Sequence, residues 1–238
     1  MTTSSIEQLL MTSGALLRDG HFLYASGRHG NAYFNKDALY TDPVLMKQLG
    51  EAMALPFIGT AIEAVAGPTV GGVILAQWVA YHLQEKTGRR IVACFAEERP
   101  TIGGAHVPCG SASGYSLVHP LRGCPDSVVA TAAGTKERFF GRGYDRLIAS
   151  RRVLVVEDVL TTGGSVRQVV DAVRRVGGIP VGVSALCNRG GVTIESLAVP
   201  TLHALLSLIL ESWPAQDCPL CRRGIPINTS LGKGGKSA

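Results

Sequence analysis

Short apolar stretches recur along this sequence and alternate with glycine-containing turns and segments of helical periodicity. The apolar stretches are AVAG at 64–67, RIVACFA at 90–96, RVLVVED at 152–158 and VGVSALC at 181–187. GPTVGG leads into the helical pattern VILAQWVAYHL, and TTGGS leads into VRQVVDAVRRV. Such strand–helix alternation predicts an α/β fold with a mainly parallel sheet flanked by helices.

The amino-terminal part has a different pattern. Apolar residues at helical spacing in IEQLLMTSGALL predict an amphipathic helix at the start of the fold. The aromatic-rich stretch 21–36 predicts two short extended segments joined through glycines. A second helix is expected over 42–54, with Asp42 as its N-cap and Pro43 at its first position.

The length of 238 residues, 46% of them hydrophobic, suits one well-packed domain, and we expect a single domain over 1–238. Residues from about 100 to 136 are rich in Gly, Ala, Ser and Pro without a sustained period, which predicts a long loop insertion. The small and polar residues at 229–238 predict a flexible tail.

The bulk properties exclude several classes of protein. Lys and Arg number 23 against 18 Asp and Glu, and the net charge of +5 suits an anionic ligand. There is no dense basic block, so no nucleic acid is expected. The most apolar stretch, 196–210, is interrupted by Pro200 and His203, so no membrane association is expected. With no signal-like start, we expect a cytoplasmic protein with reduced cysteines.

The stretch VVEDVLTTGGS combines two acids with a turn suited to an anion. Ligands bind beyond the carboxyl ends of parallel strands, so Glu157 and Asp158 are expected at that edge rather than in the core. Residues 161–165 precede a helix whose first amide groups can bind a phosphate. A ribose 5-phosphate fits both features, and the carboxylates would favour positive charge at its anomeric carbon.

The same stretch has other possible interpretations. A Walker B strand needs a Walker A motif elsewhere, and the tail sequence GKGGKS does not supply one. A dinucleotide-binding fold is disfavoured because no G-x-G-x-x-G follows a strand. A plain helix cap after an acidic turn remains an alternative.

VLVVEDVLTTGGSV closely resembles the phosphoribosyl diphosphate (PRPP) motif of type I phosphoribosyltransferases. Four further blocks resemble the long bacterial form of orotate phosphoribosyltransferase: GHFLYASGRHGNAYFNKDALYTDP, AGPTVGGVILA, CFAEER and SWPAQDCPLCRRGIPI. Together these blocks touch most of the chain outside the insertion. The resemblance implies transfer of ribose 5-phosphate from PRPP to orotate, giving orotidine 5-monophosphate and pyrophosphate in pyrimidine biosynthesis.

The resemblance also implies roles for particular residues. Glu157 and Asp158 would bind the ribose hydroxyls, Lys36 would be the active-site lysine, and Arg189 would lie near the orotate carboxylate. The residues expected to hold the 5-phosphate are Thr161, Thr162, Gly163, Gly164 and Ser165. The residues expected to contact pyrophosphate are Pro68, Thr69, Gly71 and Gly72. Mg²⁺ would be held largely by PRPP, residues 1–40 and the C-terminal segment would form a hood over the base, and the protein would be a homodimer.

Two departures from the family pattern bear on this interpretation. The family commonly has Asp before the arginine of LCNRGG, whereas this chain has Asn188. The mobile loop of the family corresponds here to a span several times longer, whose basic end offers Lys136, Arg138 and, above all, Arg142 as contacts for pyrophosphate. A phosphoribosyltransferase for another base, and a regulator that senses PRPP, therefore stay open as alternatives.

Cys218 and Cys221 form a C-P-L-C pair, a spacing that can supply two zinc ligands. We interpret the pair as a structural feature of the family, because no second C-x-x-C or nearby His pair completes a tetrahedral site. The six histidines show no convergent spacing for a metal or a nucleophile. No metal-binding residue is therefore predicted in the protein itself.

Overall fold

The computed structural model describes residues 3–24, 26–100, 136–208 and 210–231. The predicted insertion lies almost entirely outside these ranges, as do residues 232–238 of the predicted tail, so both stay predictions. The single domain over 1–238 also stays a prediction. Among the described residues, no helix combines the length and the apolarity that a membrane crossing requires.

The described residues form helices and strands in the following order. The helices are α1 (Thr3–Thr12), α2 (Lys36–Tyr40), α3 (Pro43–Ala54), α4 (Gly71–Thr87), α5 (Tyr144–Ile148), α6 (Gly164–Arg175), α7 (Ile194–Leu197) and α8 (Pro219–Arg222). The strands are β1 (Leu16–Leu17), β2 (Phe22–Leu23), β3 (His29–Gly30), β4 (Tyr33–Phe34), β5 (Ala64–Pro68), β6 (Val92–Pro100), β7 (Lys136–Phe139), β8 (Arg152–Leu160), β9 (Ile179–Asn188), β10 (Leu202–Ser207) and β11 (Ser212–Trp213).

A six-stranded sheet in the order β10-β9-β8-β5-β6-β7 forms the centre of the fold. All neighbouring strands run parallel except β7, which is antiparallel to β6. The predicted α/β class with a mainly parallel sheet is therefore confirmed. Strand β7 was not predicted from the sequence. Its residues are mostly charged, as is common on an edge strand, and do not form the apolar run by which inner strands are recognised. In the register of this pair, Arg99 lies opposite Glu137, and Arg99 Nε donates to Glu137 Oε1 at 2.6 Å.

Each inner strand has both faces covered, which explains its continuous apolar sequence. Successive side chains of a strand point to opposite faces. Leu154 and Val156 of β8 accordingly lie in the core cluster that contains residues of α1, α3 and α4. Val153 and Val155 lie in the second cluster, with the apolar face of α6.

A small second sheet of order β11-β3-β2 joins the two ends of the chain. Both pairs are antiparallel, with Ser212 opposite Gly30 and Trp213 opposite His29. We call β2, β3 and β11 the hood sheet. The predicted hood of N- and C-terminal segments is thereby confirmed as part of the fold.

Helix α3 begins as its sequence predicts. The side chain of Asp42 accepts hydrogen bonds from the amides of Val44 and Leu45, at 2.9 and 3.1 Å. Pro43 occupies the first turn. An amide hydrogen at this position would have no acceptor within the helix, so proline, which lacks one, costs no hydrogen bond there. The cap fixes the start of a helix that packs against α4 and β9.

Replacement of this cap should measurably destabilise the protein. We expect Asp42→Ala to lower the free energy of unfolding by about 1 kcal/mol, because two amides of the first turn lose their acceptor. Urea denaturation followed by circular dichroism measures the change. Asp42→Asn should retain most of the stability, and Gln48→Ala, an exposed change on the same helix, should have little effect. Equal stability of Asp42→Ala and the unaltered protein would contradict the assignment.

Candidate active site

A cleft of about 520 Å³ lies where the carboxyl ends of β5, β8 and β9 meet residues of the N-terminal part. This is the edge of a parallel sheet at which ligands bind. The cleft is lined by Tyr24, residues 33–37, residues 68–71, residues 157–166 and Arg189. Of the sites predicted from sequence, the structure brings twelve into this lining: Lys36, Pro68, Thr69, Gly71, Glu157, Asp158, Thr161, Thr162, Gly163, Gly164, Ser165 and Arg189.

The two acids of β8 differ in one respect from the prediction. They were expected at the exposed strand end, but Glu157 is 8% and Asp158 4% exposed, and β8 continues to Leu160. The prediction of exposed carboxylates is therefore wrong, although both acids do line the cleft. Burial, and secondarily the charge of Asp158, raise the pKa of Glu157 to about 8.

Several donors surround the buried carboxylate of Asp158. Tyr40 donates its hydroxyl to Oδ2 at 2.6 Å, Lys36 Nζ lies 3.1 Å from the same oxygen, and the amide of Val159 donates to Oδ1 at 2.7 Å. A buried charge is tolerated when it is paired and hydrogen-bonded in this way. The contacts attach α2, which carries Lys36 and Tyr40, to the end of the central sheet.

The same contacts raise the pKa of both side-chain donors, Lys36 and Tyr40. Burial alone would lower the pKa of Lys36, but the charge and hydrogen bond of Asp158 outweigh it and raise that pKa, so the ammonium group stays charged. Burial and then the charge of Asp158 raise the pKa of Tyr40, which keeps its proton. Tyr40 was not predicted as a site residue; its place four residues after Lys36 on one short helix was the available signal.

Gly71 is required by this arrangement. A Cβ atom at position 71 would lie 2.1 Å from Tyr40 Oη and 2.2 Å from Asp158 Oδ2. Either distance is shorter than a van der Waals contact allows, so a side chain here would displace the hydroxyl or the carboxylate. Gly72, the last residue of the predicted pyrophosphate turn, packs its backbone against Gly67 and does not line the cleft.

Residues 161–165, which we call the phosphate loop, connect β8 to α6. Gly163 caps α6 with φ of 77°, a left-handed conformation that glycine adopts without strain. The first backbone hydrogen bond between residues four apart in this helix runs from the Arg167 amide to the Gly163 carbonyl at 2.8 Å. The amides before Arg167 are thus free of acceptors within the helix, and they carry partial positive charge toward the cleft.

The loop between β5 and α4 is held from the other side of the site. The Thr69 amide donates to the Ala96 carbonyl at 3.2 Å, and Arg138 Nη1 donates to Thr69 Oγ1 at 2.9 Å. The peptide bond between Thr69 and Val70 is cis. Arg138, one of the three basic candidates, is 7% exposed and adds positive potential that lowers the pKa of Glu157 in opposition to burial.

The other basic candidates of that region are placed differently. Arg142 lies outside the cleft lining, with its guanidinium 2.8 Å from Glu97 Oε1 and over the ring of Phe95. Its predicted contact with pyrophosphate stays a prediction. Lys136 begins β7, and its side chain lies outside the described part of the structure.

Arg189 lines the cleft just after β9, and its amide donates to the Leu160 carbonyl at 3.0 Å, next to the phosphate loop. Its guanidinium carbon lies 5.4 Å from the centre of the Tyr24 ring, a cation–π contact that orients the planar group. Tyr24 was missed from sequence, although it lies in the aromatic-rich stretch that was singled out. Burial raises the pKa of Tyr24, and the charge of Arg189 opposes that shift.

Asn188 has a structural explanation that the sequence did not supply. Its side chain donates to the Val192 carbonyl at 2.8 Å and accepts from the Val192 amide at 3.0 Å. An ionised Asp could make only the second bond, because a carboxylate has no donor. Asn188 therefore closes the loop that carries Arg189, and its side chain is engaged there rather than in the cleft.

Outside the cleft, the structure brings together two histidines and two cysteines: His21, His29, Cys218 and Cys221. One potential ligand atom from each lies within 4.8 Å of all the others. The prediction that the histidines do not converge is thus wrong for His21 and His29. No local spacing revealed the cluster, since Cys221 and His29 are 192 residues apart.

The sheet, the acidic strand with its phosphate loop, and the hood define the fold of type I phosphoribosyltransferases. The fold is shared with orotate phosphoribosyltransferase from Mycobacterium tuberculosis in complex with inorganic phosphate, at a TM-score of 0.55 and 19% identity over 85% of this chain and 95% of that one. Adenine phosphoribosyltransferase from Rhodothermus marinus gives a TM-score of 0.52 and 22% identity, over 87% of this chain and all of that one. At these identities the likeness concerns the fold alone.

The sequence relatives identify the branch. Orotate phosphoribosyltransferase of Pelotomaculum thermopropionicum is 34% identical over 226 residues, which cover 95% of each chain. The enzyme of the same name from Thermus thermophilus is 34% identical over 220 residues, 92% of this chain and 96% of that one. No protein-family model matches the chain. The chain belongs to the orotate phosphoribosyltransferase family, and the resemblance noted in its sequence is confirmed.

The buried Glu157 should make stability depend on pH in a definite direction. Its pKa is about 8 in the folded protein against 4.5 as the ordinary value, so between these pH values the folded state holds a proton that the unfolded state releases. This contribution to stability is full below pH 4.5 and is lost as pH rises to 8. We expect Glu157→Gln, which has no such proton, to gain stability relative to the unaltered protein over this range.

Urea midpoints of both proteins at pH 5 and pH 8 measure the difference. Glu211→Gln, a change at an exposed carboxylate, serves as the matched control and should leave the pH dependence of stability as in the unaltered protein. If the stability difference between Glu157→Gln and the unaltered protein is the same at both pH values, the proposed protonation of Glu157 is refuted.

Proposed function

We propose that the protein transfers ribose 5-phosphate from PRPP to orotate, releasing pyrophosphate and forming orotidine 5-monophosphate in pyrimidine biosynthesis. One observation carries the proposal most strongly. The buried Asp158 lies between the phosphate loop and Lys36, in a cleft that also contains Arg189. The cleft therefore offers separate groups for a phosphate, a sugar diol and the carboxylate of a base.

The sugar end of the substrate fits the acids and the phosphate loop. The amides at the start of α6, which have no acceptor within the helix, bind the 5-phosphate together with the hydroxyls of Thr161, Thr162 and Ser165. Glu157 and Asp158 accept hydrogen bonds from the ribose hydroxyls. Once the hydroxyls of the ribose replace Lys36 at Asp158, the ammonium group of Lys36 is available to the neighbouring diphosphate.

The chemical step exchanges one bond at C1 of the ribose for another. The bond from C1 to the diphosphate oxygen breaks, the diphosphate leaves with the electron pair, and N1 of orotate bonds to C1 and gives up its proton. Positive charge develops on the ribose ring as the first bond breaks. The carboxylate of Asp158 beside the ring stabilises that charge most in the transition state, and Lys36 stabilises the negative charge on the departing group.

The base end of the cleft fits a planar anion. A guanidinium can bind a carboxylate with two parallel hydrogen bonds, and the guanidinium of Arg189 lies over the ring of Tyr24. Orotate carries such a carboxylate, whereas uracil and the purine bases do not. Asn188 does not argue against orotate, because its side chain closes the loop behind Arg189.

Magnesium is part of the proposal as a companion of PRPP. The cleft contains the oxygen ligands that Mg²⁺ prefers, in the carboxylates of Glu157 and Asp158, so the residues present fit the ion. We expect PRPP to supply most of its ligands. When bound, Mg²⁺ neutralises charge on the diphosphate.

Consumption of orotate tests the function directly. With Mg²⁺ and PRPP, the purified protein should deplete the ultraviolet absorbance of orotate and release pyrophosphate, while uracil, adenine, guanine and hypoxanthine should not react. Turnover of another base with orotate inert would replace the proposal by a phosphoribosyltransferase of different specificity. PRPP binding without consumption of any base, together with tight binding of nucleic acid, would favour the PRPP-sensing regulator.

Asp158→Asn should separate catalysis from folding. We expect kcat to fall by about 100- to 1,000-fold, because the ribose loses a full negative charge beside the atom that becomes cationic. The amide preserves the size of the side chain, so circular dichroism should show a folded protein, with lower stability because Lys36 loses its buried partner. Asp171→Asn, on the outer face of α6, removes a carboxylate paired with Arg167 and should leave kcat within about twofold. Equal kcat values for the two variants would exclude the proposed role of Asp158.

The homodimer and the cytoplasmic location stay predictions. Family resemblance supports the dimer, in which one subunit would contribute to the partner's site. Sedimentation equilibrium at several protein concentrations determines the oligomeric state.

A further inference from the structure

The hood contains a cluster of four side chains with no part in the proposed reaction. His21 follows directly on a turn before β2, His29 begins β3, and Cys218 and Cys221 lie at the start of α8 and within it. His21, His29 and Cys218 are 5% exposed or less, and Cys221 is at the surface. The cluster therefore joins both ends of the described chain at one largely buried point.

Four of the six distances between the potential ligand atoms resemble the edges of a tetrahedron, and the other two lie within 4.8 Å. His21 Nε2 lies 2.8 Å from His29 Nδ1, 3.6 Å from Cys218 Sγ and 3.7 Å from Cys221 Sγ. Cys221 Sγ lies 3.3 Å from His29 Nδ1. Tetrahedral zinc with ordinary bond lengths gives edges of about 3.3 Å between nitrogens and about 3.6 Å from nitrogen to sulfur. Each observed distance is within about 0.5 Å of the corresponding edge.

The hydrogen bonding of His21 points its free lone pair into the cluster. Its Nδ1 lies 2.7 Å from the Ile225 carbonyl, and since a carbonyl only accepts, Nδ1 carries the proton. In neutral His21, Nε2 then has one lone pair, yet His29 and both thiols approach it. One lone pair cannot satisfy three donors. A cation at the centre uses a lone pair from every member instead.

We propose that His21, His29, Cys218 and Cys221 bind one Zn²⁺ ion in a closed structural site. Two thiolates and two imidazoles form a ligand set that zinc prefers, and four protein ligands leave no open position for catalysis. The thiolates balance the charge of the ion. The bond from His21 to the Ile225 carbonyl is the outer contact that typically orients a zinc-bound histidine.

The ion would fix the hood sheet to the C-terminal segment. The two-residue strands β2, β3 and β11 supply few hydrogen bonds of their own. The segment after α8 adds a backbone bond from the Asn228 amide to the His21 carbonyl at 2.7 Å, beside the contact of the Ile225 carbonyl with the His21 ring. Such a small sheet gains stability from a metal, because binding energy at a site absent from the unfolded chain is folding energy. Tyr24, which supports Arg189, lies between β2 and β3.

Metal content tests the site without reference to turnover. The full-length protein, purified without a polyhistidine tag or chelator and dialysed after incubation with Zn²⁺, should contain one zinc per chain by mass spectrometry. We expect Cys221→Ser to lower zinc affinity by at least about tenfold. Cys94→Ala, at a buried thiol on β6, is the matched control and should keep its zinc.

Cobalt gives a spectroscopic readout on the unaltered protein, which remains decisive if Cys221→Ser fails to fold. Co²⁺ added to the zinc-free protein should produce thiolate-to-metal charge transfer and the visible bands of a tetrahedral ion, and Zn²⁺ should displace them. Absence of both zinc and these bands overturns the proposal. Equal zinc in Cys221→Ser and the unaltered protein would mean an adventitious ion only, and would overturn it as well.

Discussion

The buried carboxylate of Asp158 is the constraint on which the rest of the site depends. A charge that is 4% exposed is tolerable only with partners, and the partners come from separate parts of the chain. Lys36 and Tyr40 reach it from α2, and Gly71 leaves room for it at the start of α4. Docking of the N-terminal part onto the sheet and placement of the catalytic groups are thus one event.

The central sheet could be predicted because its signals are local. An inner parallel strand is apolar throughout, and α6 shows its buried face at every turn, so neither depends on distant residues. The phosphate loop follows from the same logic, since a helix start supplies amides whatever surrounds it. Its residues line the cleft, together with Lys36 and Arg189, which the family resemblance supplied.

Features that depend on contacts between distant parts of the chain could not be predicted from the sequence. Asp158 is enclosed by Tyr40 and Lys36, a meeting that no sequence spacing encodes. The His and Cys cluster forms across nearly the whole chain, so each half resembles an ordinary pair of side chains. Strand β7 needed the charged side chains of β6 opposite it. Asn188 suggested a change in the base that the protein uses. In the structure its side-chain amide instead bonds to the backbone of Val192 and closes the loop that carries Arg189.

The pairing of β11 with β3 has a consequence for the order in which the protein is made. A ribosome releases residues 22–30 early, but their strand partner at 212–213 emerges only after all six strands of the central sheet. The hood sheet therefore closes last, and a product cut short before residue 212 would keep the sheet and phosphate loop without a complete cover. Such a product would lack the strand that pairs with His29 and Gly30, next to the segment that carries Tyr24 against Arg189.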